Sequence, residues 1–119
     1  MDTRQATGEF GERAAETAYV RRGYRVAARN WRCRLGEIDL VLTRGDTLVV
    51  CEVKTRRGDR FGAGWQAVDG RKQAKLRALT EVYLAATGAR ASRVRFDVAS
   101  VRITRAGGEA RVEVYEDAF

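Results

Sequence analysis

The chain has 119 residues, enough for one domain with a working hydrophobic core, and its 45% apolar and 33% charged residues describe an ordinary globular protein. No apolar run approaches the ~20 residues of a membrane helix, and the N-terminus Met1-Asp2-Thr3-Arg4-Gln5 lacks a signal-peptide core, so a single cytoplasmic domain over residues 1–119 is expected. The formal net charge of +7 suits a polyanionic partner, while the absence of histidine excludes Ser–His–Asp and Cys–His catalysis and His-ligated zinc.

In chain order, residues from about Thr7 to Arg22 read as a helix, with Phe10, Ala14, Ala18 and Val20 near one side and Gly23 as a stop signal. Glu9, Glu12 and Glu16 fall close to one stripe of it. Tyr24 to Trp31 alternates as a first strand, and Cys33 lies near its end. Two apolar runs follow, Gly36-Glu37-Ile38-Asp39-Leu40-Val41-Leu42 and Leu48-Val49-Val50-Cys51-Glu52-Val53-Lys54, separated by the turn-like Thr43-Arg44-Gly45-Asp46. They predict a hairpin. Cys51, among valines, reads as a small core residue. Thr55 to Gly64 reads as a glycine- and arginine-rich loop. A second helix is expected from Asp69 or Gly70 to Thr87, with Leu76, Leu79, Tyr83 and Ala86 as its apolar stripe and Gly88 as its cap. Val94–Val98 and Val112–Tyr115 read as two further strands around a Gly107-Gly108 turn. The expected order is α-β-β-β-α-β-β.

The hairpin carries the chemistry. A carboxylate within the first strand and a carboxylate–x–lysine at the end of the second are costly in a sheet unless paired or metal-bound. Side chains alternate along a strand, so Glu52 and Lys54 share one face, with Asp39 one strand away. Phosphodiester hydrolysis needs charge neutralised at phosphorus, hydroxide near neutral pH and a stabilised leaving oxygen, all within reach of an oxygen-liganded Mg²⁺ or Mn²⁺. Asp39, Glu52 and the carbonyl of Val53 are the candidate metal ligands, and Lys54 would hold the attacking water or a phosphate oxygen. The plainer alternative is a structural Glu52–Lys54 pair. Glu37 reads either as an outer ligand or as the partner of an arginine such as Arg34. Trp31 reads as a core residue and Trp65 as a candidate stacking contact.

Positive charge clusters around this hairpin. Residues 21–34 hold six arginines and no acid, and residues 52–77 hold eight basic residues against three acids. Arg56, Arg57, Arg60, Lys72 and Lys75 are the candidate phosphate contacts, with affinity expected to fall steeply with salt.

Asp39 with Glu52-Val53-Lys54 resembles the catalytic core of the PD-(D/E)XK nuclease superfamily. Gly11-Glu12, Arg22-Gly23-Tyr24, Arg29-Asn30-Trp31-Arg32, Gly36-Glu37-Ile38-Asp39-Leu40, Glu52-Val53-Lys54-Thr55-Arg56, Phe61-Gly62, Ala67-Val68 with Lys72, and the terminal Ala118-Phe119 resemble the bacterial YraN family over nearly the whole chain. Gln66 departs from an acid often found there. The resemblance implies a restriction-endonuclease-like α/β core, a central mixed sheet flanked by helices, similar to that of archaeal Holliday-junction resolvases. It implies Asp39 and Glu52 as metal ligands, Lys54 as the catalytic lysine and Glu12 as an additional acid from the first helix. The leading expectation is a Mg²⁺- or Mn²⁺-dependent endonuclease acting on DNA, with branched or single-stranded forms as the candidate substrates. The competing expectations are a nucleic-acid-binding module of the same fold with little turnover, and a basic scaffold for a protein partner. A homodimer is left open.

Overall fold

The computed structural model describes residues 3–57, 68–104 and 108–119. In chain order these form α1 (Thr3–Arg21), β1 (Arg25–Cys33), β2 (Gly36–Arg44), β3 (Thr47–Arg57), α2 (Gly70–Thr87), β4 (Arg93–Ile103) and β5 (Ala110–Tyr115). The expected element order holds, with strands running a few residues longer than the apolar patterns suggested. Of the expected glycine- and arginine-rich loop, Thr55–Arg57 belongs to β3; residues 58–67, with Arg60, Phe61 and Trp65, lie outside the described residues, as does Gly107.

The strands form one sheet in the order β1-β2-β3-β4-β5. β3 and β4 pair in parallel over their full length, and the other neighbours are antiparallel. A parallel pair needs a long crossover, and α2 supplies it. This mixed sheet with a helix on each face is a restriction-endonuclease-like α/β arrangement. Among the described residues no helix is long and apolar enough to cross a membrane.

Strand alternation sorts the core into two halves. Val41, Leu48, Val50, Phe96 and Val98 pack with Leu76, Leu79 and Tyr83 of α2. Leu40, Leu42, Val49, Cys51, Ala99 and Val101 pack with Ala15 and Tyr19 of α1. α2 begins with Asp69 accepting from the Lys72 amide at 2.8 Å and ends at Gly88 in the left-handed conformation, φ 71°. Its buried stripe is Leu76, Leu79, Thr80 and Tyr83; Ala86, expected there, is exposed. Trp31 packs edge-on against Tyr83, with centroids 5.3 Å apart.

α1 departs further from expectation. Its buried face is Gly11, Ala15 and Tyr19, whereas Phe10 and Val20 are 42% and 50% exposed. The reason is closeness: the helix lies so near β3 that a Cβ on Gly11 would sit 1.8 Å from Thr55 Oγ1 and 2.9 Å from Thr55 Cβ. At this end of the face only glycine fits; Tyr19, about two turns on, has room. Gly11→Ala should therefore cost about 1–3 kcal/mol by overpacking, and Thr55→Ala should return part of it. Thermal melts of both singles and the double test this, and strictly additive losses would refute the contact.

Tyr19 reaches a buried polar network under α1. Its hydroxyl donates to Asp97 Oδ2 at 2.7 Å, and Arg95 donates from Nε and Nη2 to both Asp97 oxygens at 2.9 Å. Arg95 Nη2 also donates to the Tyr24 hydroxyl at 2.8 Å, and the Asp117 amide donates to Asp97 Oδ1 at 3.0 Å. The Asp97 side chain is fully buried and that of Arg95 is 7% exposed, so every lone pair and donor must find a protein partner. Bonding to Asp97 raises the Arg95 pKa further, keeping the guanidinium charged.

Candidate active site

The β2–β3 ladder runs from Arg44↔Thr47 to Leu40↔Cys51, and one residue later the two strands part. At that fork Val53 donates its amide not to a strand carbonyl but to Asp39 Oδ2, at 2.9 Å. β2 turns at the same place. Ile38 belongs to the α2 half of the core, whereas Leu40 and Leu42 belong to the α1 half, so alternation breaks at Asp39. Across the sheet, Asn30 falls between the pairs Arg29↔Leu40 and Trp31↔Ile38 and has φ 46°. Asparagine tolerates that left-handed conformation better than most residues, and its side chain favours the charged form of Glu12.

The bend opens Asp39 to both faces. Under α1 lies a cleft of about 440 Å³ lined by Thr7, Gly8, Glu12, Asp39, Glu52 and Thr55, among others. Under α2 lies a cavity of about 300 Å³ in which Asp39 and Glu52 meet Gly36, Glu37, Lys72 and Lys75. The two carboxylates thus sit in the passage between the helices. Glu12, Glu37 and Asp39 each bring an oxygen to within 4.8 Å of the others.

Electrostatics follow from that crowding. Burial, then the negative charge of Glu52, push the Asp39 pKa up to about 7, against the opposing bond from the Val53 amide. Glu12 is raised too, first by burial and then by Asp39, with Asn30 opposing. Hard oxygen donors at one point suit Mg²⁺ or Mn²⁺, and the described residues bring no thiol or imidazole to compete.

The other expected residues are placed unevenly. Lys54 is half-buried, in register with Ser100 of β4, and by alternation lies on the Glu52 side of the strand. The ion pair of Glu52, however, runs to Lys72 (Nζ to Oε2, 3.7 Å). Glu37 pairs with Arg32 at 2.6 Å rather than with Arg34, because Arg32 is its register partner on β1. Arg57 lies at the rim of the α1-side cleft and donates from Nε to Thr7 Oγ1 at 2.9 Å. Arg56 is half-buried on β3. Lys75 borders the α2-side cavity with its aliphatic end across Gly36, where a Cβ would meet Cε at 2.9 Å. Asn30 had not been expected at the site; an asparagine opposite the strand acid was the signal available.

A family profile described as "Uncharacterised protein family UPF0102" matches residues 11–101, a span that takes in Gly11, Glu12 and the whole β2–β3 fork. The chain belongs to the UPF0102 family. It is 51% identical to a UPF0102 protein of Salinispora arenicola over 97% of this chain and 96% of that one. It is 48% identical to a UPF0102 protein of a Parafrankia species over the full length of both, and 42% identical to one of Pelotomaculum thermopropionicum over 99% and 98%. The matched span thus takes in Glu12, Asp39 and Glu52.

Proposed function

We propose that this UPF0102 protein is a divalent-metal-dependent endonuclease of the PD-(D/E)XK superfamily that hydrolyses phosphodiester bonds of DNA in the cytoplasm. The observation that carries this reading is the meeting of Asp39 and Glu52 at the strand fork, with Asp39 raised to about 7 by its burial and its neighbour. A structural acid in a sheet is normally paired with a cation; here Asp39 is buried against Glu52, and Glu12 and Glu37 each bring an oxygen within 4.8 Å of one of its own.

Asp39, Glu52 and the Val53 carbonyl would hold the ion, with Glu12 and Glu37 beside it. When bound, the ion supplies positive charge to phosphate oxygens and makes a bound water more acidic. The remaining work belongs to the chain. The Val53 amide fixes the Asp39 carboxylate, Asn30 favours the charged form of Glu12, and Lys54 orients the attacking water or a phosphate oxygen. Arg56, Arg57, Lys72 and Lys75 hold phosphates flanking the scissile one, and Arg60 joins them by its place in the sequence. A binding module of the same fold is the second reading, favoured by one observation: Glu52 pairs with Lys72 and not with Lys54.

Labelled DNA and RNA substrates of single-stranded, duplex and branched form, incubated with Mg²⁺ and with Mn²⁺, separate the two. The wild-type chain should cut at least one DNA. Lys54→Ala should slow that cleavage by roughly 10²–10⁴-fold, the scale of a positioned proton-transfer group, with DNA affinity nearly unchanged. If the wild type cuts nothing with either metal, and Lys54→Ala moves the melting temperature alone, the nuclease reading fails and the binding module stands.

A further inference from the structure

The Lys72–Glu52 contact has a geometry that a passing surface pair lacks. Asp69 caps α2 and fixes its first turn, while Leu76 and Leu79 fix its rotation over the sheet. Together they aim Lys72 at the carboxylate passage. The Glu52 side chain there is 11% exposed and that of Lys72 is 45% exposed. Lys75, three residues on, borders the same cavity but lies across Gly36 instead. Glu52 is thus already served by a monovalent cation on a flexible tether. A divalent ion arriving at Glu52 repels the ammonium and weakens its hold on the carboxylate. The outer part of a half-exposed lysine can swing away at small cost while its stem stays packed.

We propose that Lys72 is an internal counter-ion for the metal site: it neutralises Glu52 in the metal-free protein, is displaced by the arriving divalent cation, and then takes a phosphate oxygen at the mouth of the α2-side cavity. The proposal rests on the reading of Asp39 and Glu52 as cation ligands. It links metal uptake to substrate binding, because the ion that completes the site also releases the lysine that grips the strand.

Calorimetric titration of the full chain with Mn²⁺ tests the first half. Lys72→Met should tighten Mn²⁺ by roughly two- to fivefold, the worth of a partly exposed ion pair. Lys72→Arg should stay near wild type, and Lys75→Met should gain less, having removed a charge from the same helix without vacating Glu52. An unchanged or weaker affinity in Lys72→Met, or an equal gain in Lys75→Met, overturns the proposal. If Glu52→Gln still abolishes Mn²⁺ uptake in that case, the metal-site reading survives it; a wild type that takes up no Mn²⁺ overturns both. Binding of labelled DNA tests the second half. With Ca²⁺, Lys72→Met should reduce the slope of log affinity against log salt by about one, the loss of one phosphate contact, whereas in EDTA its slope should match wild type. An equal reduction in both buffers would mean that Lys72 touches phosphate regardless of the metal, against the proposal.

Discussion

Asp39→Asn should stop DNA cleavage and, without metal at pH 8, make the protein more stable than wild type. The sign follows from the raised pKa. The Asp39 carboxyl titrates near 7 when folded against the usual 3.8, so its protonated form is favoured by folding. That contribution is complete below about pH 4 and is lost as pH rises through 7. Asparagine keeps an oxygen to accept the Val53 amide but never acquires the charge. At pH 8 the gain should be on the order of 2 kcal/mol, less than the full shift implies because asparagine gives up the charge-assisted bond from the Val53 amide, or roughly 5–10 °C in melting temperature. Below pH 4 the two proteins should converge. Saturating Mn²⁺ should reverse the order, because ligand binding stabilises the chain that retains the carboxylate. Melting curves at pH 4, 6 and 8, with and without Mn²⁺, check this. A variant that melts lower at pH 8 without metal would show that Asp39 is an ordinary structural acid.

The second large effect belongs to the buried network. Arg95→Met or Asp97→Leu alone should cost about 3–5 kcal/mol, because the first strands Asp97 and the second leaves buried Arg95 only the half-exposed Glu116, 3.5 Å away; that is a large part of the ~5–15 kcal/mol of a typical domain. Asp97 holds together Tyr19 of α1, Arg95 of its own strand and the backbone at Asp117. The double variant Arg95→Met/Asp97→Leu should lie well above the sum of the singles, though short of wild type, since the Tyr19 hydroxyl and Asp117 amide would still lack their partner. Denaturant unfolding of the four proteins measures the coupling. Single variants within 1 kcal/mol of wild type would show that the pair contributes little.

What sequence patterns disclose is what is local. The β2–β3 hairpin was legible from two apolar runs around Gly45-Asp46, and α2 from Leu76, Leu79 and Tyr83 between Asp69 and Gly88. Asp39 and Glu52 stood out because acids are rare in such runs, and one hairpin turn brings them together. The α1 face was misjudged because close packing against Thr55 selects Gly11 and Ala15, whose lack of bulk gives no apolar signal. The Asp97 network was illegible because it joins residues 78 and 71 positions apart, and nothing in Val94-Arg95-Phe96-Asp97 tells a buried pair from an exposed one. Lys72 was visible as a charge beside the site. Its hold on Glu52 depends on how α2 is rotated over the sheet, a matter of tertiary packing. Glu12 entered through the family resemblance, since a glutamate on a helix is by itself unremarkable.

The bond from the Val53 amide to Asp39 makes the backbone a listening post. Most amides in β3 report strand pairing, but this one reports the charge of a single side chain. Its proton resonance should shift downfield as Asp39 ionises, since a carboxylate is the stronger acceptor, and should move again when a cation draws on the same oxygen. One assigned peak in a nitrogen–proton spectrum can therefore follow both proton release and metal loading, with no dye, label or substrate added to the passage it monitors.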